Sequence, residues 1–294
     1  MPPVSVSHVV SSREIFQNTL GGVYEKTPEI AASAYETAKE ATSVTQIAAA
    51  MKYSVDNLNE EKQIQLIKAH PDLAGRAALA GQLTKESNLE QSRAGLNSLE
   101  RDELDRFQQL NSNYKNKFGF PFILAVRNAN KRTILNAFEH RLLNTRAVEI
   151  GAAISQIHKI AWMRILDTVQ PAPTGKLTCH VLDTARGCPA AGMNIALHRL
   201  SDGGQTRIKC ADFVTNSDGR LPGGPALQGE AFTEGQYEWT FYVGEYFVSH
   251  GVEPVPGQPF LGEVPLRFGI DNPEMHYHVP LLCSPWSYST YRGS

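Results

Sequence analysis

The segment DTVQPAPTGKLT, residues 167–178, separates two halves of the chain whose apolar residues repeat with different periods. Before it, apolar residues recur at the three-and-four spacing of an amphipathic helix. After it, they alternate with polar residues, as along a half-buried strand. The prolines and glycine of the segment interrupt both patterns. The sequence therefore predicts an all-α helical bundle over residues 1–168, a linker over 169–175 and an all-β domain over 176–294.

Three segments of the first half show the helical pattern most clearly. They are NLNEEKQIQLIKAHP at 57–71, SLERDELDRFQQLNSNYKNKFG at 98–119 and TRAVEIGAAISQIHKIAWMRILDTV at 145–169. The first stops before Pro71, and the second begins on Ser98 and closes at Gly119, as helices commonly do. The third carries an apolar stripe from Ile150 to Ala161. Together they predict a bundle.

The second half contains short alternating segments that are separated by Gly, Pro, Asp and Asn. The segments are KLTCHVLD, MNIALHRL, TRIKCADFVTN, QYEWTFYV, EVPLRFGI and MHYHVPLLCS. That many strands in about 120 residues favours an antiparallel sandwich. GEYFVSHG at 244–251 is the exception, because it is predicted to form a short helical turn.

Composition excludes several classes of function. The chain has 294 residues, 41% of them hydrophobic, and a net charge of −2, so it lacks the basic surface that nucleic-acid binding requires. No apolar run approaches the roughly 20 residues that span a membrane, and the N-terminus does not resemble a secretory signal. We expect neither a nucleic-acid nor a membrane partner.

The expected compartment follows from the cysteines and the last residues. Four cysteines without a CxxC pair favour free thiols in a reducing compartment. The final Arg-Gly-Ser differs from the peroxisomal Ser-Lys-Leu. We expect a cytoplasmic or peroxisomal protein without a clear targeting signal.

Three polar residues of the first half each allow two interpretations. His70 stands where a helix ends, which favours its protonated form, and it is either a capping residue or a functional one. Glu90 completes SNLE at 87–90, a capping box that would by itself account for it. Arg164 falls on the apolar stripe, so it either extends to the surface or pairs inside with an anion.

The motifs HPDLAGRAALAGQLTKESNLEQSRAGL (70–96), LNSNYKNKFGFPFILAVR (110–127) and IHKIAWMRIL (157–166) closely resemble the family of 2-oxo-4-hydroxy-4-carboxy-5-ureidoimidazoline (OHCU) decarboxylases. The resemblance covers most of residues 10–168 and implies a cofactor-free, all-helical decarboxylase that makes (S)-allantoin. It implies that His70 is the catalytic histidine, with Glu90 and Arg164 as polar partners. It also implies a substrate pocket formed by Pro71, Ser87, Asn88, Leu89, Gln91, Phe122, Ile123, Leu124, Ala125 and Val126.

Histidines also stand out in the second half. Alternation places His180 on one face of its strand, and it places His276 and His278 together on one face of another. If those faces meet, His180 and His278 share one site. An HxH pair is also half of a metal site, so a zinc-dependent cyclic amidohydrolase stays open. Arg220 follows the turn sequence NSDG and would ordinarily be solvated.

The motifs LTCHVLDTARGCPAAGMNIALHRL (177–200), TNSDGR (215–220) and FGIDNPEMHYHVPLLCSPWSYSTYRGS (268–294) resemble the transthyretin-related 5-hydroxyisourate hydrolases over residues 175–294. The resemblance implies a transthyretin-like antiparallel sandwich and a hydrolase without metal. It implies catalysis by His180, Arg220 and His278, with Ser294 assisting proton transfer. Tyr291, Arg292 and Gly293 would complete the pocket, so the end of the chain is expected to lie in an active site. The resemblance implies no role for His276.

The two resemblances imply consecutive steps of urate degradation. The hydrolase would convert 5-hydroxyisourate to OHCU, and the decarboxylase would convert OHCU to (S)-allantoin, both without cofactors and on small-molecule substrates. A transthyretin-like small-molecule binding module is the competing class, and the histidines, Arg220 and the YRGS ending favour the enzyme over it. The resemblances also imply a homo-oligomer, with a tetramer formed through the β domain and dimer contacts through the α domain.

Overall fold

A computed structural model of the chain describes residues 3–74, 83–93, 96, 98–127, 129–252 and 257–293. The chain divides into two compact units, Met1–Pro171 and Ala172–Ser294. The first unit is helical and the second is a sandwich of strands, which confirms the predicted fold class. Within the described residues, no helix combines the length and the apolar character needed to cross a membrane.

The described part of the first unit consists of nine α-helices and one short pair of strands. The helices are α1 Val6–Val10, α2 Arg13–Leu20, α3 Glu29–Ala38, α4 Val44–Asp56, α5 Glu60–Ala69, α6 Lys85–Arg93, α7 Arg101–Phe118, α8 Lys131–Arg141 and α9 Arg146–Thr168. Strands β1 Val4–Ser5 and β2 Val169–Gln170 pair in parallel and join the two ends of the unit.

The three helical segments predicted from periodicity correspond to α5, α7 and α9. The predicted start of α7 at Ser98 is wrong by two residues, because Glu100 is the N-cap and forms a capping box with Glu103. In that box the Glu100 N–H donates to Glu103 Oε2 at 2.9 Å. Gly119 ends the helix with a φ of 81°, the left-handed conformation that glycine adopts without strain.

Helix α9 contributes its whole predicted stripe to the core of the first unit. Ala153, Ile157 and Ala161 are buried on this helix, and the stripe continues to Arg164, which is 4% exposed. Burial of apolar side chains along one helix face supplies most of the stability of such a bundle. The same face therefore carries a guanidinium group into the interior.

The second unit contains eleven described strands and one α-helix, besides two short 3-10 helices at Asp202–Gly204 and Gly229–Ala231. They are β3 Lys176–Thr178, β4 Val181–Asp183, β5 Cys188–Pro189, β6 Asn194–Ser201, β7 Thr206–Val214, β8 Leu227–Gln228, β9 Gly235–Phe241, α10 Val243–Ser249, β10 Val264–Ile270, β11 His276–His278, β12 Leu281–Cys283 and β13 Tyr288–Ser289. Helix α10 lies in the segment for which a helical turn was predicted.

One sheet of the sandwich is antiparallel throughout, with the strand order β10-β9-β6-β7. In the opposite strands, β11 and β12 run parallel to β3 and β4, with Tyr277 opposite Leu177 and Leu281 opposite Val181. These four residues are buried. Because side chains alternate along a strand, His180 and His278 lie on the other, less buried face of neighbouring strands.

The turn at residues 216–220 is packed tightly against β4. Gly219 has a φ of +70°, and a Cβ added to it would lie 2.3 Å from the carbonyl oxygen of Val181. The Val181 N–H donates to the Gly219 carbonyl at 2.8 Å. This close approach places Arg220 next to His180, with which it forms an isolated β-bridge.

We expect Gly219→Ala to destabilise the second unit more than Gly187→Ala does. Gly187 also has a positive φ, +69°, but its added Cβ meets nothing within 4 Å. Alanine in the left-handed conformation costs about 1 kcal/mol of unfolding free energy, and relieving the overlap at Gly219 costs about 1–3 kcal/mol more.

Denaturant unfolding of the full chain, followed by tryptophan fluorescence and circular dichroism, measures both free energies. Equal losses in the two variants would show that the turn relaxes without cost.

Candidate active sites

The structure brings His70, Glu90 and Arg164 to one pocket in the first unit. Seven of the predicted substrate-binding residues also line it: Pro71, Ser87, Gln91, Phe122, Ile123, Leu124 and Val126. Asn88 and Leu89 are exposed on α6, and Ala125 is half-buried beside the lining. Contact between these three residues and a substrate stays a prediction.

The ring of His70 is held in one tautomer by the end of its own helix. Its Nδ1 lies 3.1 Å from the carbonyl oxygen of Leu66, and a carbonyl oxygen only accepts, so Nδ1 carries the hydrogen. Nε2 is buried and has no hydrogen-bond partner among the described residues. In the neutral ring this nitrogen holds a lone pair that is free to accept a proton from a ligand in the pocket.

Burial lowers the pKa of His70 to about 4. The Leu66 carbonyl and the charge of Glu25 act in the opposite direction, but they are weaker than the loss of hydration. The expectation that the helix end favours the protonated form is therefore wrong for this residue. His70 is neutral near pH 7.

Arg164 is paired inside the protein, which excludes the alternative in which it extends to the surface. It makes a bidentate contact with Glu90, from Nε to Oε1 at 2.8 Å and from Nη2 to Oε2 at 3.0 Å. Its Nη1 donates to Glu25 Oε2 at 2.8 Å. A guanidinium cannot give up its proton, so burial requires such partners. Two carboxylates neutralise this cation.

The capping-box interpretation of Glu90 is wrong. Helix α6 begins at Lys85, so Ser87 lies inside the helix, and its N–H donates to Thr84 Oγ1 at 3.3 Å. The Ser87 hydroxyl donates to Glu25 Oε2 at 3.1 Å. The hydroxyl of Thr84 accepts a hydrogen bond from the first turn of α6, so Glu90 is not needed as a capping residue. Its carboxylate binds Arg164 instead.

Glu25 belongs to this site but was not found from the sequence. It lies between α2 and α3, is 2% exposed, and accepts hydrogen bonds from Thr84, Ser87 and Arg164. Burial acts to raise the pKa of Glu25, but the Arg164 charge and the hydrogen bonds outweigh it, so the pKa lies below its usual value. A buried arginine requires an acidic partner, so the sequence predicted that some such residue exists. The sequence around Glu25 does not show that Glu25 is that residue.

The side-chain amides of Gln91 and Asn111 hold the loop that follows His70. Gln91 Oε1 accepts from the Ala74 N–H at 2.9 Å, and its Nε2 donates to the Asp72 carbonyl at 3.3 Å. Asn111 Nδ2 donates to the Leu73 carbonyl at 2.8 Å. The polar atoms of Gln91 are thus used on the backbone, and its side chain forms pocket wall.

The opposite wall, residues 122–126, is irregular backbone fixed by two long side chains. Arg141 Nη1 donates to the Ile123 carbonyl at 2.6 Å, and the Ala125 N–H donates to Gln156 Oε1 at 3.0 Å. Arg141 is itself held by Glu149, which is fully buried. Within the described residues, the other N–H groups of this wall have no acceptor. They are donors available to an oxygen-rich ligand.

The second unit brings His180, Arg220 and His278 together. His180 Nε2 lies 2.8 Å from the Asp218 carbonyl, so Nε2 carries the hydrogen and Nδ1 holds the lone pair. Burial and the nearby Arg220 charge lower the pKa of His180. Burial lowers the pKa of His278 as well, and the charges of Arg220, His180 and His276 lower it further. Both rings are therefore more readily neutral than an ordinary histidine.

The predicted tail residues lie next to His278. The backbones of His278 and Gly293 exchange hydrogen bonds at 3.1 and 2.8 Å, and a Cβ on Gly293 would lie 3.1 Å from the His278 ring. The Arg292 guanidinium stacks 4.5 Å above the ring of Tyr277. The ring centroid of Tyr291 is 6.4 Å from that of His278. Ser294 lies outside the described residues, and its role stays a prediction.

His276 and His278 do not face each other as two ligands of one ion. Thr178 Oγ1 lies between them, 2.8 Å from His276 Nε2 and 2.9 Å from His278 Nδ1. Among the described residues, no group of three or more His, Cys, Asp or Glu side chains is placed to hold a metal ion. The described part of the chain thus offers no complete ligand set for zinc.

Known families match both units. A family model described as OHCU decarboxylase matches residues 10–166, and one described as the HIUase/Transthyretin family matches residues 177–293.

Individual relatives match one unit each. The 5-hydroxyisourate hydrolase of Pseudomonas aeruginosa is 51% identical over 125 residues, which is 42% of this chain and 96% of that protein. The 2-oxo-4-hydroxy-4-carboxy-5-ureidoimidazoline decarboxylase of Haloferax volcanii is 37% identical over 152 residues, 52% of this chain and 88% of that protein.

One solved structure matches both units at once. The crystal structure of (S)-allantoin synthase superposes with a TM-score of 0.84 and 47% sequence identity, covering 99% of this chain and all of that chain. The order of the two units is therefore the same in both proteins.

We expect Glu25→Gln to destabilise the first unit by about 3 kcal/mol, because it removes one carboxylate from a buried guanidinium. Urea unfolding of the full chain, followed by far-ultraviolet circular dichroism, measures the change.

Glu36→Gln is the matched control. Glu25 pairs with one cation, and Glu36 pairs with two, Arg13 and Lys39. Glu36 lies on the surface, however, where such pairs contribute little. If the Glu25 variant unfolds at the same urea concentration as the Glu36 variant, the ion pair between Glu25 and Arg164 does not stabilise the first unit as we expect.

Proposed function

The chain belongs to the OHCU decarboxylase family in its first unit and to the HIUase/transthyretin family in its second, and we propose that it catalyses two consecutive steps of urate degradation. The second unit hydrolyses 5-hydroxyisourate to OHCU, and the first unit decarboxylates OHCU to (S)-allantoin. Both substrates are small molecules, and the proposed steps use no cofactor.

The decarboxylation requires movement of protons as well as loss of CO2. C4 of OHCU carries a hydroxyl and a carboxyl group, and C5 carries the ureido group. When the C4–carboxyl bond breaks, its electron pair passes into the ring. The hydroxyl proton leaves as the C4 carbonyl forms, and a proton is added to one face of C5. A group that accepts a proton near C4 and returns one to C5 therefore serves both needs.

The buried Nε2 of His70, which has no hydrogen-bond partner among the described residues, supports this assignment most directly. The ring is neutral and its hydrogen is committed to Leu66 through Nδ1, so Nε2 is able to accept the hydroxyl proton. It then holds a proton on one wall of the pocket and delivers it from that side only. Delivery from one side would give a single enantiomer of the product.

Glu90 and Arg164 act as a unit in the proposed decarboxylase. Arg164 is fully engaged by Glu25 and Glu90, so it fixes Glu90 instead of lending a free positive charge to the substrate. The fixed carboxylate of Glu90 accepts N–H groups of the ureido chain or the ring. The N–H groups of residues 122–126 that have no acceptor among the described residues bind the substrate oxygens in this proposal, because their residues line the pocket.

In the proposed hydrolase, water attacks a ring carbonyl and the ring C–N bond opens. His278 accepts the proton of the attacking water, and Arg220 stabilises the oxyanion that forms. His180, fixed by the Asp218 carbonyl, faces the same site, and Ser294 assists transfer of a proton to the leaving nitrogen. Within the described residues the guanidinium of Arg220 has no hydrogen-bond partner, which leaves it free for a substrate.

The proposed assembly is a homo-oligomer, with a tetramer formed through the β unit and dimer contacts through the α unit. Several large apolar side chains of the tail are exposed on the single chain, namely Trp286, Tyr288 and Tyr291. Strands β10 and β13 lie at sheet edges. Exposed aromatic side chains and open edges both favour association with another copy.

We expect His70→Asn to lower the rate of decarboxylation by about 100- to 10,000-fold, the usual contribution of a general acid–base group. Freshly prepared 5-hydroxyisourate is added to the full chain, and the circular dichroism of the allantoin released is recorded. The wild type gives (S)-allantoin, whereas the variant releases OHCU that decays slowly to racemic product.

His140→Asn is the control for this substitution, because His140 is an exposed histidine of the same unit on α8. It should leave both steps unchanged. A His70 variant that still gives (S)-allantoin at the wild-type rate would rule out the assigned proton transfer.

Treatment of the full chain with a chelator should leave ring opening intact, because the proposed water activation uses imidazole. The loss of 5-hydroxyisourate absorbance is measured before and after treatment, and the metal content is measured by mass spectrometry. Loss of activity that added zinc restores would favour a zinc-dependent cyclic amidohydrolase instead.

A further inference from the structure

A buried ion pair lies behind the pocket wall at residues 122–126. Glu149, in the first turn of α9, is fully buried. It accepts from Arg141 Nε at 3.0 Å and from Asn144 Nδ2 at 2.6 Å. The Tyr114 hydroxyl donates to the same carboxylate. Burial, followed by the hydrogen bond to Glu149, raises the pKa of Tyr114, so the phenol keeps its proton. Residues of α7, α8 and the turn before α9 thus meet at one carboxylate.

Arg141 connects this carboxylate to the pocket wall. Its Nε donates to Glu149, and its Nη1 donates to the Ile123 carbonyl at 2.6 Å. The guanidinium also lies 4.6 Å from the centroid of the Phe122 ring. That ring stacks on Phe138, with the centroids 3.7 Å apart. Because a planar guanidinium presents its donors in fixed directions, the position of Glu149 determines where the wall carbonyl is held.

The bond to Arg141 orients the peptide group between Ile123 and Leu124. In a trans peptide the carbonyl and the N–H point in opposite directions. The carbonyl points to Arg141, which does not line the pocket, whereas Ile123 and Leu124 do. The Leu124 N–H therefore points away from Arg141, and it has no acceptor among the described residues. The next N–H, that of Ala125, is occupied by Gln156.

We propose that Arg141 and Glu149 are positioning residues for the decarboxylase, and that they orient the Leu124 N–H toward an oxygen of the substrate. Glu149 fixes Arg141, Arg141 fixes the peptide, and the peptide presents its N–H to the pocket. Neither charged side chain lines the pocket itself. The assignment rests on the proposed decarboxylation of OHCU by the first unit.

The wall depends on this ion pair because it has no regular structure of its own. Residues 122–126 form neither helix nor strand, so their peptide groups gain no orientation from a ladder of backbone hydrogen bonds. The side chains of Arg141 and Glu149 are only 14% and 0% exposed. Water therefore competes little for their donors and acceptors, and the pair keeps one geometry.

Arg141→Lys tests the orientation of the peptide without removing the charge. The ammonium group still pairs with Glu149, but a single nitrogen replaces the separate Nε and Nη1 donors, so the Ile123 carbonyl loses its fixed partner. We expect KM for OHCU to rise about 10- to 100-fold, the effect of one hydrogen bond to a charged group. The bond forms in the ground state as well as in the transition state, so kcat per folded chain should change little.

Fresh OHCU is added to the full chain at varied concentration, and the formation of (S)-allantoin is followed by circular dichroism. The far-ultraviolet signal and the melting temperature of each variant report whether the helical unit is folded. A purely structural role of the ion pair predicts a lower melting temperature and a smaller active fraction with KM unchanged. The positioning role predicts a higher KM in the folded protein.

Lys117→Met is the matched control. Lys117 Nζ also donates to a backbone carbonyl, that of Leu142, at 2.6 Å, and it lies 5.1 Å from the centroid of the Phe118 ring. Neither partner belongs to the pocket wall. We expect this variant to keep the wild-type KM.

Glu149→Gln gives a second test in which Arg141 itself is kept. The glutamine amide places N–H donors among the donors of Arg141 and Asn144, so the guanidinium loses part of its anchor. We expect KM for OHCU to rise here as well, together with a lower melting temperature.

The outcomes distinguish this assignment from the function on which it rests. A wild-type chain that does not decarboxylate OHCU overturns both. An active wild type with a folded Arg141→Lys variant of unchanged KM overturns only the positioning role. If that variant does not fold, an unchanged KM in Glu149→Gln overturns the role in the same way. An equal rise of KM in Lys117→Met overturns it too, because the effect would then not depend on contact with the wall.

Discussion

Arg164 is buried and cannot lose its proton, and this constraint organises the first unit around its pocket. The cation lies near the end of the long helix α9, and it draws in Glu25 from the connection between α2 and α3 and Glu90 from α6. Because two carboxylates already pair with Arg164, the ion-pair cluster carries no net positive charge that would attract an anionic substrate. The irregular backbone at 122–126 has N–H groups without an acceptor among the described residues, and we propose these groups as the partners of a substrate carboxylate. The ion pair thus holds the pocket together, and the proposed substrate contacts fall to the backbone.

Elements defined by local pattern were predictable, and those defined by distant partners were not. Periodicity alone locates α5, α7 and α9 and the strands of the sandwich, because each pattern is contained in a few consecutive residues. Alternation also indicates which face of a strand is buried. It does not name the neighbouring strand, so the parallel pairing of β3 with β11, about 100 positions apart in the chain, could not be read from it. The start of α7 was misplaced because serine is the commoner N-cap residue. In the structure, Glu100 is the N-cap instead and forms a capping box with Glu103.

The same limit applies to the sites. The principal site residues were predicted through the resemblance, which carries long-range information that a single local pattern lacks. Glu25 went unnoticed because its partner Arg164 is 139 positions away, and Thr178 because a threonine on a strand is ordinary. Glu90 was given a local role because its spacing from Ser87 allowed one. For His70, the helix end was visible in the sequence, whereas the burial that dominates its pKa depends on the whole pocket.

The hydrogen-bond partners of the three site histidines decide how firmly each neutral tautomer is fixed. His70 and His180 each donate to a backbone carbonyl, the first from Nδ1 to Leu66 and the second from Nε2 to Asp218. A carbonyl oxygen never donates, so these two tautomers are fixed whenever the rings are neutral. His278 is bound instead to a hydroxyl, which both donates and accepts. The hydroxyl oxygen also lies 2.8 Å from His276 Nε2 and 3.5 Å from the Tyr277 carbonyl, so its hydrogen has more than one acceptor. A carbonyl partner thus fixes one neutral tautomer of a histidine, whereas the hydroxyl leaves both tautomers of His278 open.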